Sequence, residues 1–254
     1  MSLDACAALV QRGDPDRWLS LMSAPLAARR VLLPIYAFNL EVARAPWVTV
    51  EPTIAEMRLQ WWRDALEEIA LGGAVRRHEV VTPLAAVIDG EAARLLDRLV
   101  MARRWDIYRD PFEDKDHFDT YLAHTAGELM WVAARALGAT DPGPVADMAR
   151  ASGLAAWFLA IPELEARGRQ PLVDGRPEAV RELAEDGLVA LRRARCARAQ
   201  VPVAARPALR AGWRAGYLLS SACKDPLRVV NGALAESEAR RRASLIWHAS
   251  WGSY

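Results

Sequence analysis

Two carboxylates four residues apart on a helix can share a divalent cation, and one literal instance occurs, Asp106 and Asp110 in WDIYRDPF. That spacing sets both side chains on one helix face, where Mg²⁺ would find the oxygen ligands it requires. Pro111 works against it, because a proline biases its predecessor away from helical backbone. Asp110 is therefore expected off the helix face that carries Asp106. A second acid group, Asp114, Asp116 and Asp119 in EDKDHFD, stands at a helix start, where acids serve the cap and the macrodipole. His78, His117, His124 and His248 are scattered. His117 and His124 can share a face, but no cysteine or acid completes a ligand set at sensible spacing. No G-x-S-x-G, P-loop or G-x-G-x-x-G pattern occurs, so hydrolase, NTPase and Rossmann readings have no support. No catalytic residue and no metal ligand is assigned on these grounds.

Composition narrows the classes further. The 254 residues carry 33 Lys+Arg against 32 Asp+Glu, a formal net charge of +1. Nucleic-acid binding, which needs a basic surplus, is not expected. Lys115 and Lys224 are the only lysines; a GC-rich genome produces the same arginine bias. Cys6, Cys196 and Cys223 are odd in number and lack C-x-x-C spacing, which points to a reducing compartment. The start, MSLDACAALVQRGDPDRW, lacks a basic segment before its apolar run and does not read as a signal peptide. No uncharged apolar run approaches the ~20 residues of a membrane span. A cytoplasmic protein is expected, with peripheral attachment at the inner face of a membrane left open. The oligomeric state is not legible.

Stepping outward to the elements, helical periodicity dominates. In EPTIAEMRLQWWRDALEEIALGG, Thr53 and Glu56 have capping-box spacing and Gly72-Gly73 supplies a stop. Ile54, Met57, Trp61, Ala65 and Ile69 form one stripe and Arg58, Trp62 and Leu66 the next, so this helix is expected to be largely buried. In HFDTYLAHTAGELMWVAARALG, Asp116 is the expected N-cap and Gly138 the C′ residue. Further helices are read in RRVLLPIYAFNLEVAR, GEAARLLDRLVMARRWDIY, VADMARASGLAAWFLAI, PEAVRELAEDGLVALRRARCARA, RPALRAGWRAGYLLSSACK and SEARRRASLIWHASW. The expectation is one all-α domain over residues 1–254, a bundle of about eight helices around a single core.

Taken in order, YAFNLEVAR, LQWWRDAL, YLAHTAGELM and GLAAWFLAI…RGRQPL resemble the squalene/phytoene synthase family, over roughly Asp16 to Lys224. The resemblance implies a single-domain helical bundle of the isoprenoid synthase type. Members that make squalene or phytoene join two prenyl diphosphates head to head, using Mg²⁺ held by acid pairs on facing helices. This sequence departs from that pattern at both places. After Tyr36, Ala37 and Phe38 come Asn39, Ala43, Arg44 and Trp47, with alanine, a cation and tryptophan where acids would stand. The second motif is replaced by Trp157, Ala160, Ile161 and Pro162. Glu41 or Glu163 would each be a lone carboxylate, too little for a metal cluster.

The sequence thus looks like the non-catalytic branch of the family, which includes a mitochondrial assembly factor for respiratory complex I. That resemblance implies an assembly or binding role near an energy-conserving membrane, with a membrane-protein partner and no cofactor. Two other readings stay open: an active Mg²⁺-dependent prenyl transferase, and a helical interaction module whose cavity its own side chains fill. Tyr36, Phe38, Trp61, Trp62, Tyr121, Trp157 and Phe158 lie on the helices that wall the prenyl cavity in the resembled fold, as does Trp131. They are the candidate lining of an apolar pocket for an isoprenoid or phospholipid ligand. Arg44 is the candidate phosphate contact. The segment 237–254, with Arg240, Arg241, Arg242, Leu245, Ile246, Trp247 and Trp251, suits a helix at a membrane surface or a last core helix.

Overall fold

Prolines and acids at helix starts, and glycines at their ends, mark out the elements. The computed structural model describes residues 3–254, and among them all regular structure is helical. The first pair is α1 (Leu3–Gly13) and α2 (Pro15–Met22). Asp14 caps α2 by accepting from the Arg17 backbone N–H at 2.9 Å. Next come α3 (Leu26–Arg44), the 3-10 turn Ala45–Trp47 and α4 (Pro52–Ala70). The short α5 (Val81–Ala85) leads to α6 (Gly90–Ala102), which a 3-10 segment, Arg103–Asp106, extends. Then α7 (Lys115–Leu122) passes through one π-turn, Ala123–Gly127, into α8 (Glu128–Ala136). The series closes with α9 (Pro142–Ala166), α10 (Pro177–Cys196), α11 (Arg206–Leu209), α12 (Ala215–Lys224), α13 (Leu227–Val230) and α14 (Glu238–Ser250).

The long α9 is apolar around most of its circumference and packs on α8, α10, α12 and the π-turn. A helix of that kind belongs in the middle of a bundle. Gly153 permits the approach: a Cβ there would lie 2.8 Å from the Ala126 Cβ in the π-turn. On α3, Ile35, Phe38 and Val42 are fully buried. The buried apolar side chains form one contiguous cluster running from Cys6 to Tyr254.

Several local expectations need correction. Thr53 does not cap α4; Pro52 at the first helical position starts the helix earlier, with Glu51 as N-cap. Nor is α4 largely buried. It packs mainly on α6 and the neighbouring 3-10 turns, so Ala55, Leu59, Trp62, Leu66 and Ile69 face inward while Ile54, Met57 and Trp61 remain exposed. Asp114, not Asp116, caps α7, accepting from the His117 N–H at 2.8 Å. The stretch RPALRAGWRAGYLLSSACK is not one helix but α11, a 3-10 turn Arg210–Gly212, and α12. A Cβ on Gly212 would lie 2.6 Å from both Met148 Cε and Ser152 Cβ, so the chain passes against α9 there. The stops at Gly72 and Gly138 are as read, each glycine holding a positive φ.

Candidate functional site

A cavity of about 740 Å³ opens between α3 and α9, bounded also by α2, the α7–α8 helix and the α11–α12 region. On α3 the residues facing it are Tyr36, Asn39, Leu40, Ala43 and Arg44, with Trp47 just beyond the helix. Spacings of three and four keep them on one face. On α9 the facing residues include Gly153, Trp157, Ala160 and Glu163, with Arg167 as C-cap. The two regions that the sequence resemblance singled out therefore line the same space. Ile161 and Pro162 do not. Ile161 is fully buried, and Pro162 is turned toward Gly232 beyond α13, each rotated off the cavity face by the helical repeat.

The aromatic candidates divide. Tyr36, Tyr121 and Trp157 line the cavity. Phe38, Trp61, Trp62 and Phe158 do not. Phe38 lies two residues from Tyr36, on the far side of α3, and meets Trp62 edge to face at 5.3 Å. Trp61 is exposed on α4 with the Arg76 guanidinium 4.8 Å from its ring. Phe158 is fully buried, about 100° round the helix from Trp157. Trp131 also packs away from the cavity, against the core. Trp157 fixes one wall, its indole donating to the Pro171 carbonyl at 2.9 Å and its ring packing on Trp105, Phe112, Phe118 and Tyr121.

The charges of the cavity are nearly all consumed within it. Four acids line it: Asp14, Asp16, Asp106 and Glu163. Asp14 pairs with Arg17 at 2.8 Å, Asp106 with Arg103 at 3.1 Å and Glu163 with Arg167 at 2.6 Å; Asp16 pairs with Arg214 and, at 3.3 Å, with Arg241. Five arginines line the cavity, and Arg44 is the one without an acid partner among the described residues. Sequence reasoning missed Arg17, Arg103, Arg167 and Arg214. The i, i+3 spacings of Asp14 with Arg17 and Arg103 with Asp106, and the i, i+4 spacing of Glu163 with Arg167, were local signals; Arg214 had none.

Trp47 occupies the end of the site between α3 and α9. The guanidinium carbons of Arg167 and Arg169 both lie 4.7 Å from its ring, a cation–π arrangement. Arg169 is itself buried, donating to the backbone carbonyls of Trp105, Asp106 and Tyr108. Desolvation pulls its guanidinium below the ordinary arginine value.

Deeper in the wall, Tyr121 donates to Asp106 Oδ1 at 2.9 Å and accepts from Arg103 at 2.9 Å. Burial drives the Tyr121 phenol far above its usual value, with the Arg103 charge opposing it and the Asp106 charge adding to it. Burial likewise pushes Tyr36 up to about 12, although Arg17 opposes it. The Asn39 side chain is 5% exposed, and its Oδ1 accepts from no described group. An orphaned buried acceptor facing a cavity costs about 1–3 kcal/mol unless something entering it donates.

The remaining candidates are elsewhere. Asp110 is exposed and outside any helix, so Asp106 and Asp110 share no helix face. Asp119 bridges Lys115 and Arg150. The three cysteines are free. Among the described residues no group of three or more His, Cys, Asp or Glu is placed to hold a metal ion.

The squalene/phytoene synthase family model matches residues 10–172. The chain belongs to the squalene/phytoene synthase family. Its fold agrees with that of a dehydrosqualene synthase over 98% of this chain and 95% of the other, with a TM-score of 0.78 at 14% identity. A squalene synthase HpnC from Alicyclobacillus acidocaldarius superposes with a TM-score of 0.75 at 15% identity, covering 89% and 94% of the two chains. These likenesses establish an all-α isoprenoid synthase fold. Among curated proteins of this family the chain is similar to NADH dehydrogenase (ubiquinone) complex I, assembly factor 6. The Drosophila melanogaster homolog is 26% identical over 66% of this chain and 53% of its own length. The Mus musculus protein is 24% identical over 54% of this chain and 41% of its own. The chain thus matches about half the length of those relatives, or less.

Proposed function

We propose that this chain is a non-catalytic member of its family that acts in assembly of a respiratory membrane complex and holds an anionic isoprenoid or phospholipid in the cavity between α3 and α9. The observation that carries the reading is Trp47 seated against Arg167 and Arg169, with Arg167 closing on Glu163. Where a diphosphate-processing site needs divalent cations between facing carboxylates, this chain supplies its own guanidinium groups. The donor set does not suit Mg²⁺: Ala43, Arg44, Trp47 and Ala160 offer no carboxylate, and the four acids present are ion-paired. Mg²⁺ requires several oxygen ligands in near-octahedral array.

A Mg²⁺-dependent prenyl transferase is the weaker reading, since little would stabilise the departing diphosphate. A module with a filled cavity is also weaker, because the space is open and has an unpaired cation, Arg44, at its edge. The assembly role is carried over from the names of the relatives, and the respiratory-complex partner with it. Attachment to a membrane surface rests on α14 and its C-cap, where Ile246, Trp247 and Trp251 are each more than 60% exposed. No helix among the described residues is long and apolar enough to cross a membrane.

The reading is tested by incubating the protein with geranylgeranyl diphosphate, with and without Mg²⁺, and following ligand binding and diphosphate release separately. Saturable binding without release is expected; Mg²⁺-dependent release overturns it. Capture of a respiratory-complex subunit from solubilised membranes, lost on deletion of this chain, is the corresponding test of the partner.

A further inference from the structure

A second cavity, of about 290 Å³, lies between α10, α12 and α14. Its chemistry differs from that of the first. No acidic side chain lines it, and its polar groups are Arg192, Arg195, Trp213, Tyr217, Ser220, Ser244 and His248. Arg192 has no ion-pair or hydrogen-bond partner among the described residues, and Arg195 has no acid partner. Arg195 Nε donates to the Tyr254 carbonyl at 3.1 Å. Its terminal nitrogens lie against Gly216 of α12, where a Cβ would sit 3.5 Å from Nη2.

Trp213 supplies a second, independent observation. It is 2% exposed, and its indole N–H donates to no described group. A buried donor left unpaired is costly, and its tryptophan lines a cavity whose polar wall is two guanidinium groups, an imidazole and three hydroxyls, beside Leu188 and Leu191. His248 lies opposite, with Nδ1 already engaged by Ser253 Oγ at 2.9 Å. Burial, then Arg195 and Arg210, hold its imidazole below the ordinary value, and desolvation holds Arg195 down as well. Two guanidinium groups without acid partners, a buried N–H and the hydroxyls of Tyr217, Ser220 and Ser244 make the donor set of an oxyanion site.

We propose that the cavity between α10, α12 and α14 binds a phosphate group, free or as a phospholipid headgroup, through Arg192, Arg195 and the Trp213 indole N–H. The volume admits a phosphate with room to spare, since a water molecule takes roughly 30 Å³. Ser244 and His248 face the cavity from α14, while Ile246 and Trp247 on the same helix are exposed. A lipid surface resting on the outer face of α14 would place headgroups about one helix diameter, roughly 10 Å, from the site. The site shares no residue with the first cavity, so it stands or falls separately from the proposed function.

The test follows the Trp213 indole proton by ¹H–¹⁵N correlation in the full chain, its signal assigned by its loss in Trp213→Phe. Inorganic phosphate is expected to shift it saturably, and chloride at matched ionic strength is not. Arg192→Glu, at an exposed position that leaves the fold intact, is expected to weaken the response about tenfold or more. Vesicles of phosphatidylcholine containing phosphatidic acid distinguish the sources. Competition with phosphate for the Trp213 shift identifies a headgroup site, and phosphate binding without competition identifies a free-phosphate site. An indole signal indifferent to phosphate and to these vesicles, or one that responds equally to chloride, overturns the proposal.

Discussion

Arg167 stands 4.7 Å from the Trp47 ring and joins the end of α9 to the turn that follows α3. Arg169 approaches the same ring at the same distance. The two contacts tie the end of α9 and the segment just beyond it to the turn that follows α3. Trp47→Ala should therefore lower stability by about 1–3 kcal/mol, from two cation–π contacts and the apolar surface lost. Urea unfolding of the variant checks this. An unchanged midpoint would mean that Trp47 is an idle surface ring.

Tyr36 gives the molecule an alkaline limit. Its folded pKa, about 12, lies above its unfolded value of 10.0 because the phenol is buried. The neutral phenol is thus favoured in the folded state. Its contribution is complete below about pH 10 and disappears as pH rises through about 12, a loss on the order of 3 kcal/mol. Tyr121 and Cys6 are raised by burial as well, so Tyr36→Phe should remove only its own share of the decline. Denaturant unfolding at about pH 9 and about pH 12 measures that share. Equal losses in the two proteins would contradict the burial of Tyr36.

Asn39 is expected to trade stability against binding. Its buried Oδ1 faces the cavity without a donor, so Asn39→Leu should stabilise the protein by about 1 kcal/mol or more. The same substitution should reduce the thermal shift produced by a bound lipid that carries a hydrogen-bond donor. A destabilised variant with full ligand response would show that the amide is satisfied within the fold.

Much of this was legible in the sequence, for physical reasons that differ by element. Gly72 and Gly138 ended their helices as read, because a positive φ is a local demand that glycine meets. Ala43, Arg44 and Trp47 follow YAF on α3 and the turn after it, and all three line the cavity. Which aromatics face that cavity was not legible. Tyr36 and Phe38 are two residues apart and point to opposite sides of α3, and periodicity alone does not say which side is hollow. The π-turn at Ala123–Gly127 changes the helical register before α8, and no residue in it announces that. Pairs such as Asp16 with Arg214 join residues 198 apart, so the cancellation of charge within the cavity appears only when the chain is folded.

The outer face of α14 should govern attachment to membranes. Trp247 and Trp251 are exposed, with their rings 5.5 Å apart, and Leu245 is the residue that this helix buries. Replacing both tryptophans with serine should reduce sedimentation with anionic vesicles about tenfold or more. The thermal midpoint should barely move, because neither ring is part of the core. Unaltered vesicle binding would assign α14 to the surface of the fold alone.

The most direct test of the central claim is a calorimetric titration with geranylgeranyl diphosphate in Mg²⁺ and in EDTA, paired with an assay for released diphosphate. A cavity whose cations are its own arginines predicts the same affinity in both buffers, no release, and weaker binding by Arg44→Glu. Binding that needs Mg²⁺ and is followed by release of diphosphate would contradict it.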